Sequence, residues 1–192
     1  TDRQRFLRLV QPFQTGLVVA AECVFSWYWL ADLCARHNIE FVLGHALYMK
    51  AIHGGKAKND RIDAEKIARL LRGGTLPMAY AYPQGRRSTR DLLRRRTFLV
   101  RRRAEALTHV SNTHSQYNLP CNAGPLNRRC HRKGVAERFD DESVRRMVQT
   151  DLTLIDHYDT VIRDLENYLE HHAIINDPHT YQLRRTVPGS GR

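Results

Sequence analysis

The chain has 192 residues, and its 42% hydrophobic content is enough for a packed core, which excludes a disordered chain. Its formal net charge of +11 is uneven, because residues 1–134 carry 24 Lys and Arg against 9 Asp and Glu, whereas residues 135–192 carry 7 against 11. Clustered arginine in a basic segment indicates a polyanionic partner, most simply nucleic acid, and exceeds what an acidic small molecule requires.

The first elements in chain order are a strand, a helix and a second strand. A continuous Val-rich apolar run over residues 17–21 predicts a buried strand, residues 25–37 predict a helix, and residues 39–43 predict the next strand. Together they form one βαβ unit. The helix is rich in aromatic residues at helical spacing, which favours packing against the sheet over a surface for stacking bases.

Three acidic residues could converge at the end of this unit. A helix predicted over residues 60–72, ending at the two glycines that follow, places Asp60 and Asp63 on one face. Glu22 follows the first strand, at the edge where α/β sheets usually hold ligands. Three carboxylates suit Mg²⁺ or Mn²⁺, ions that assist phosphoryl transfer. Alternatively, Asp60 is only an N-cap and Asp63 an acid facing the helix dipole, and the two interpretations are compatible.

The long helix predicted over residues 86–110 is the most basic part of the chain. Leu93, Val100 and Leu107 form a heptad repeat, and nine arginines lie between residues 86 and 103 with Asp91 as the only acid. Solvated helices usually mix charges, so we favour phosphate contact over a solvated coiled-coil flank. The residues assigned to nucleic-acid binding, including two lysines of the preceding loop, are Lys56, Lys58, Arg86, Arg87, Arg90, Arg94, Arg95, Arg101 and Arg102.

A second long helix is predicted over residues 141–171, with apolar residues at spacings of three and four and largely acidic exposed positions. We expect it to pair with the basic helix as an antiparallel coiled coil, acid against base. Pairing between two copies through the same seams is an open alternative, and we expect a homo-oligomer through this region. A pure coiled-coil assembly module is a third functional class.

Three sequence blocks, residues 21–30, 46–51 and 58–66, resemble the amino-terminal part of the insertion sequence 110 transposases, prokaryotic enzymes of the DEDD type. The resemblance implies a RuvC-like catalytic domain with a ribonuclease H-like fold and a four-acid magnesium site. Matched by position, Glu22 is the second acid, and Asp60 and Asp63 are the last two. The first acid has no match, since Asp2 does not fit its motif. Family members are guided by a structured RNA, which implies RNA as well as DNA as a partner.

We therefore expect a partial RuvC-like domain over residues 1–84, a helical coiled-coil region over 85–175, and a linker into a further transposase domain over 176–192. Both ends look cut, so we expect a fragment that is inactive alone, from a parent that cleaves and transfers DNA strands with metal help. The alternative is a non-catalytic nucleic-acid-binding remnant acting through the arginine-rich helix. The cysteines form no CxxC pair, no signal peptide is evident and no apolar run spans a bilayer, which favours a cytoplasmic protein without a membrane partner. The resemblance further implies a prokaryotic, nucleoid-associated protein.

Overall fold

A computed structural model describes residues 2–13, 15–24, 26–52, 59–120, 124–176 and 178–188. The chain divides into two compact units, residues 1–87 and 88–192. The described residues are mostly helical, with a small parallel sheet in the first unit. The elements are α1 (Arg3–Val10), β1 (Val18–Glu22), α2 (Trp27–Arg36), β2 (Glu40–Gly44), α3 (Ala46–Ile52), α4 (Asp60–Arg72), α5 (Gln84–Gln116), α6 (Glu142–Asn176) and α7 (Pro178–Thr186).

The predicted βαβ unit is present, with each strand shifted by one residue. Strands β1 and β2 are parallel and in register from the pair Val18 and Glu40 to the pair Glu22 and Gly44. Helix α2 connects them and covers one face, where its Trp27 is buried in a cluster with strand residues. On the far side of β2, the Ala79 N–H donates to the Leu43 carbonyl at 2.7 Å. The connection between α4 and α5 thus runs beside β2, with an antiparallel bridge between Gly44 and Met78.

The end of β2 leaves no room for a side chain unless Met49 moves. A Cβ added at Gly44 would lie 2.6 Å from Met49 Sδ and 3.5 Å from Leu76 Cδ1. Met49 belongs to α3, a helix that sequence analysis did not predict. Glycine at this position therefore allows α3 and Leu76 to close over the face of the sheet opposite α2.

Helix α4 has the bounds expected from the sequence. Its N-cap is Asn59, whose side-chain oxygen accepts the Arg61 N–H. It stops where expected, because Gly74 adopts a left-handed conformation with φ of 67° and the Thr75 N–H donates to the Leu70 carbonyl at 3.0 Å. The helix packs against β1 and so brings its residues to the same sheet.

The second unit is built on α5 and α6, which run antiparallel. Three ion pairs join the two helices, and later residues of α5 pair with earlier residues of α6: Arg96–Glu166, Arg103–Asp159 and His109–Asp151. Between the helices, Val110, Val148 and Ile155 are fully buried in one apolar cluster. The predicted pairing of acid against base is therefore present within one chain.

The connection between these helices folds back onto them. Its Leu126, Val135 and Phe139 are buried in the same cluster as the helix residues. Arg132, in the middle of the connection, is buried and reaches α6 through two ion pairs, Nη1 to Asp156 at 2.6 Å and Nη2 to Asp159 at 2.6 Å. The connection thus closes this end of the hairpin.

The two ends of the described chain contain helices that sequence analysis did not predict. Asp2 caps α1 by accepting the Gln4 N–H at 2.9 Å. Helix α7 lies within the predicted linker, and its Tyr181 hydroxyl donates to the Glu170 carboxylate of α6. In the part of the chain that the structure describes, no helix combines the length and apolar character that crossing a bilayer requires.

Candidate functional site

Glu22 ends strand β1 at the carboxyl edge of the sheet. It is paired with Gly44, and side chains alternate along a strand, so Glu22 lies on the Gly44 face of the sheet. Ala21 and Leu43, one residue earlier on each strand, belong instead to the cluster with α2. Because α4 packs against β1, the strand that ends in Glu22 and the helix that carries the two other predicted acids are neighbours.

Asp60 and Asp63 lie on the first turn of α4, as the sequence predicts. The alternative interpretation, in which Asp60 is the N-cap, is wrong, because the Asn59 side chain accepts the Arg61 N–H at 3.0 Å. Asp63 lies 3.7 Å from the Lys66 ammonium in a solvent-accessible ion pair. Among the described residues, the Glu22 and Asp60 carboxylates have no hydrogen-bond or ion-pair partner. Neither carboxylate is therefore held by a side-chain partner in the described part of the chain, and Asp60, in the first turn of α4, faces the positive end of the helix dipole.

The three acids fit a divalent cation in their chemistry. Carboxylate oxygens are the ligands that Mg²⁺ prefers, and Mg²⁺ usually takes one or two of them, completing its shell with water and substrate phosphates. Within the described ranges, no group of three or more His, Cys, Asp and Glu side chains is close enough to hold one ion. The assignment of Glu22, Asp60 and Asp63 as shared metal ligands thus stays a prediction.

One predicted phosphate contact has a structural role instead. Arg87 is only 7% exposed, and its Nη1 lies 2.6 Å from the Asp32 carboxylate while its Nε donates to the Tyr82 carbonyl at 2.7 Å. Its guanidinium also lies over the Trp27 and Tyr28 rings, 4.8 and 4.9 Å from their centroids. We therefore remove Arg87 from the predicted nucleic-acid surface, because this buried cation anchors the start of α5 to α2.

The other arginines of α5 separate onto two sides of the helix. Arg96 and Arg103, seven residues apart, face α6, where Arg96 Nε donates to Glu166 at 2.8 Å and Arg103 Nη1 to Asp159 at 2.7 Å. The side turned away from α6 carries four exposed arginines, which we name the outer arginine face: Arg94, Arg95, Arg101 and Arg102. Arg86 is also exposed, Arg90 is half-buried with its Nη1 3.4 Å from Asp91, and Lys56 and Lys58 lie outside the described residues.

An aromatic residue that sequence analysis did not single out lies at the centre of the outer arginine face. Phe98 is 42% exposed, and the guanidinium carbons of Arg95 and Arg102 lie 4.9 and 5.1 Å from its ring centroid. These distances are within the range of cation–π attraction. The signal was present in the sequence, because the four arginines occupy positions three and four residues before and after Phe98, the spacings at which helix side chains meet.

One carboxylate on the α6 side, that of Asp159, has a lowered pKa. Burial alone would raise the pKa of Asp159, but hydrogen bonds and Coulombic attraction from Arg103 and Arg132 outweigh it and hold that pKa below its ordinary value. Asp159 therefore stays ionised and neutralises cations that lie between the helices. On the outer arginine face, Arg102 Nη1 lies 2.6 Å from the Glu105 carboxylate.

Comparison with known proteins places the three acids and the outer arginine face in one protein family. The family of DEDD transposases of insertion sequence 110 matches residues 3–118, more than half of the chain. The match includes Glu22, Asp60, Asp63 and the whole outer arginine face. Searches of curated proteins and of solved structures give no significant match. Transposases act on DNA, which makes DNA the expected partner. By the extent of the match and the residues it includes, the chain belongs to the insertion sequence 110 family of DEDD transposases.

Proposed function

We propose that this chain supplies catalytic acids and a nucleic-acid surface to a transposase that cuts and joins DNA strands with the help of a divalent metal ion. The observation that carries the proposal is the family match over the sheet edge and α4, where two acids on the first helical turn are free of any capping role. Glu22, Asp60 and Asp63 are the proposed ligands, consistent with a ribonuclease H-like domain.

The residues around these acids support such a role. The Asn59 cap fixes the first turn of α4 without consuming Asp60, and Lys66 balances part of the charge on Asp63. When bound, Mg²⁺ or Mn²⁺ would stabilise the attacking and leaving oxygens of a phosphodiester. Because the three acids do not form a ligand cluster in the described residues, phosphates of the substrate would have to complete the metal's coordination.

We further propose that the outer arginine face contacts the phosphates of DNA, of a structured guide RNA, or of both. Its four guanidiniums lie opposite the side that pairs with α6, so binding would not require those interhelical ion pairs to break. Each phosphate neutralised releases condensed counterions and strengthens binding at low salt. Assembly of copies through the helical region, as a nucleoid-associated complex, belongs to the same proposal.

The test is strand cleavage of labelled element ends in Mg²⁺ or Mn²⁺, run on the 192-residue chain and on the full-length product of its gene. We expect the full-length protein to cleave and Asp60→Ala to abolish cleavage, while the cap variant Asn59→Ala retains it. The 192 residues contain matches to three of the four acids that the resemblance implies, so we expect no cleavage by this chain alone. Metal-dependent cleavage that survives Asp60→Ala would contradict the assignment.

A second candidate function is a nucleic-acid-binding remnant without catalysis. It is favoured by one observation, namely that the arginines are displayed on a well-formed helix while no three-residue metal cluster exists among the described residues. The same assay separates the two. Nucleic-acid binding with no cleavage by the full-length protein in either metal would support the remnant.

A further inference from the structure

Phe98 is an exposed aromatic residue on the arginine-rich side of α5. It lies on the side of α5 turned away from α6, and 42% of its surface is exposed. The apolar partners of α5 lie on the other side, where Leu99 and Val110 are buried. The Phe98 ring instead contacts the Arg95 and Arg102 guanidiniums, one helical turn before it and one after.

Stacking of this kind changes how the two arginines can bind. A free arginine side chain carries about 2 kcal/mol of rotamer entropy, much of which is lost when its guanidinium binds a phosphate. A ring under the guanidinium plane restricts those rotamers beforehand and leaves the N–H groups at the rim able to donate. Arg102 also forms an exposed ion pair with Glu105, with Nη1 2.6 Å from the carboxylate, which leaves its other N–H groups for a phosphate.

The spacing of the two guanidiniums defines what they can reach. Arg95 and Arg102 are seven residues apart, about 10.5 Å along the helix axis, but their guanidinium carbons lie 4.9 and 5.1 Å from the same ring centroid. The ring therefore draws the two cations toward one place on the helix surface, where both can meet the phosphates of a nucleic-acid backbone. Because the Arg95 and Arg102 guanidiniums already lie against the Phe98 ring, a base that stacked on it would compete with them, which favours backbone contact over base stacking.

We propose that Phe98 is a positioning residue that pre-orders Arg95 and Arg102 for contact with backbone phosphates of the bound nucleic acid. The inference rests on the proposed role of the outer arginine face in nucleic-acid binding. It predicts a specific signature, because removing the ring raises the entropic cost of binding but does not change the number of phosphates neutralised. Affinity should fall while its salt dependence stays the same.

The experiment is fluorescence anisotropy with labelled duplex and single-stranded oligonucleotides over a series of salt concentrations. Phe98→Leu should weaken binding to both by about fivefold to thirtyfold, as expected from losing two exposed cation–π contacts. The slope of log affinity against log salt should match that of the wild type. Phe98→Tyr should restore affinity. Leu154→Ala is the matched control, since Leu154 is also 42% exposed but lies on α6, and it should bind like the wild type.

Three outcomes separate the possibilities. Binding by Phe98→Leu within twofold of the wild type, while Arg95→Gln with Arg102→Gln lowers the slope, would overturn the role of Phe98 and leave the arginine surface intact. A loss confined to single strands would assign Phe98 to base stacking and also overturn it. An unchanged slope after replacing all four outer arginines would instead overturn the proposed surface. Far-UV circular dichroism of each variant checks that α5 remains folded.

Discussion

Replacing Arg132 by methionine should destabilise the second unit strongly. This arginine is almost fully buried and makes four contacts, pairing with Asp156 and Asp159 and donating to the Leu126 and Asn127 carbonyls at 2.7 and 3.0 Å. Methionine has a similar apolar stem but donates no hydrogen bond. The substitution therefore removes the charge that compensates two carboxylates and leaves two carbonyl oxygens of the connection without this donor.

The size of the stability loss depends on how well Asp156 and Asp159 remain paired or hydrated without Arg132. Breaking a buried ion pair by removing one partner typically costs about 3–5 kcal/mol, because a buried charge is left unpaired. Asp159 keeps Arg103 as a partner at 2.7 Å, and Asp156 is partly accessible to water. Both facts place the expected loss near the lower limit, about 3 kcal/mol, which corresponds to roughly a hundredfold change in the unfolding equilibrium.

Urea unfolding followed by far-UV circular dichroism measures this loss, since α5 and α6 contribute most of the helical signal of their unit. Arg129→Met is the matched control. Its Nε lies 3.8 Å from the same Asp156, but the side chain is 81% exposed compared with 4% for Arg132, so we expect a change below about 1 kcal/mol. Equal losses for the two variants, or a loss below about 1 kcal/mol for Arg132→Met, would refute the reasoning.

Further predictions concern the packing, capping and charge of named residues. Gly44→Ala should cost about 1–3 kcal/mol in urea unfolding, because the new Cβ would lie 2.6 Å from Met49 Sδ, and a smaller residue at position 49 should recover part of the loss. Asn59→Ala should cost about 1 kcal/mol, whereas Asp60→Asn should leave stability within about 0.5 kcal/mol; equal losses would contradict the observed cap. The pKa of Asp159 is lower in the folded protein than its ordinary value of 3.8, so the ionised carboxylate contributes its full stabilisation above pH 3.8. That stabilisation should be lost as the pH falls further, through the lowered pKa. Unfolding measured between pH 6 and pH 2 should therefore show a smaller acid-dependent loss for Arg132→Met than for the wild type.

Local patterns in the sequence predicted the elements whose cause is local. The Val-rich run, the helical spacing of the aromatic residues and the two glycines after Arg72 correctly indicated β1, α2 and the end of α4. The alternation of apolar and charged positions likewise indicated the two long helices and their opposite charges. These features depend on periodicity and on residue-specific backbone preferences, which are visible in a single sequence.

Features that depend on distant contacts were not predictable in this way. Arg87 belongs to the same arginine run as Arg86, and only its contact with Asp32, 55 residues away, shows that it is structural. The role of Arg132 likewise depends on where the connection folds against α6. Helix α3 was not predicted because it is short. It packs closely at Gly44, and a single glycine in the sequence does not indicate such packing. Whether Glu22, Asp60 and Asp63 share a metal stays a prediction.

The central claim is that the outer side of α5 is the nucleic-acid surface, and salt-dependent DNA binding tests it most directly. The comparison is between Arg94→Gln with Arg101→Gln on the outer side and Arg96→Gln with Arg103→Gln on the side facing α6. Both pairs are seven residues apart and remove the same charge. We expect the outer pair to lower the slope of log affinity against log salt by about 1.8 and the inner pair to leave it unchanged. Equal changes for the two pairs, or no change for the outer pair, would contradict the account.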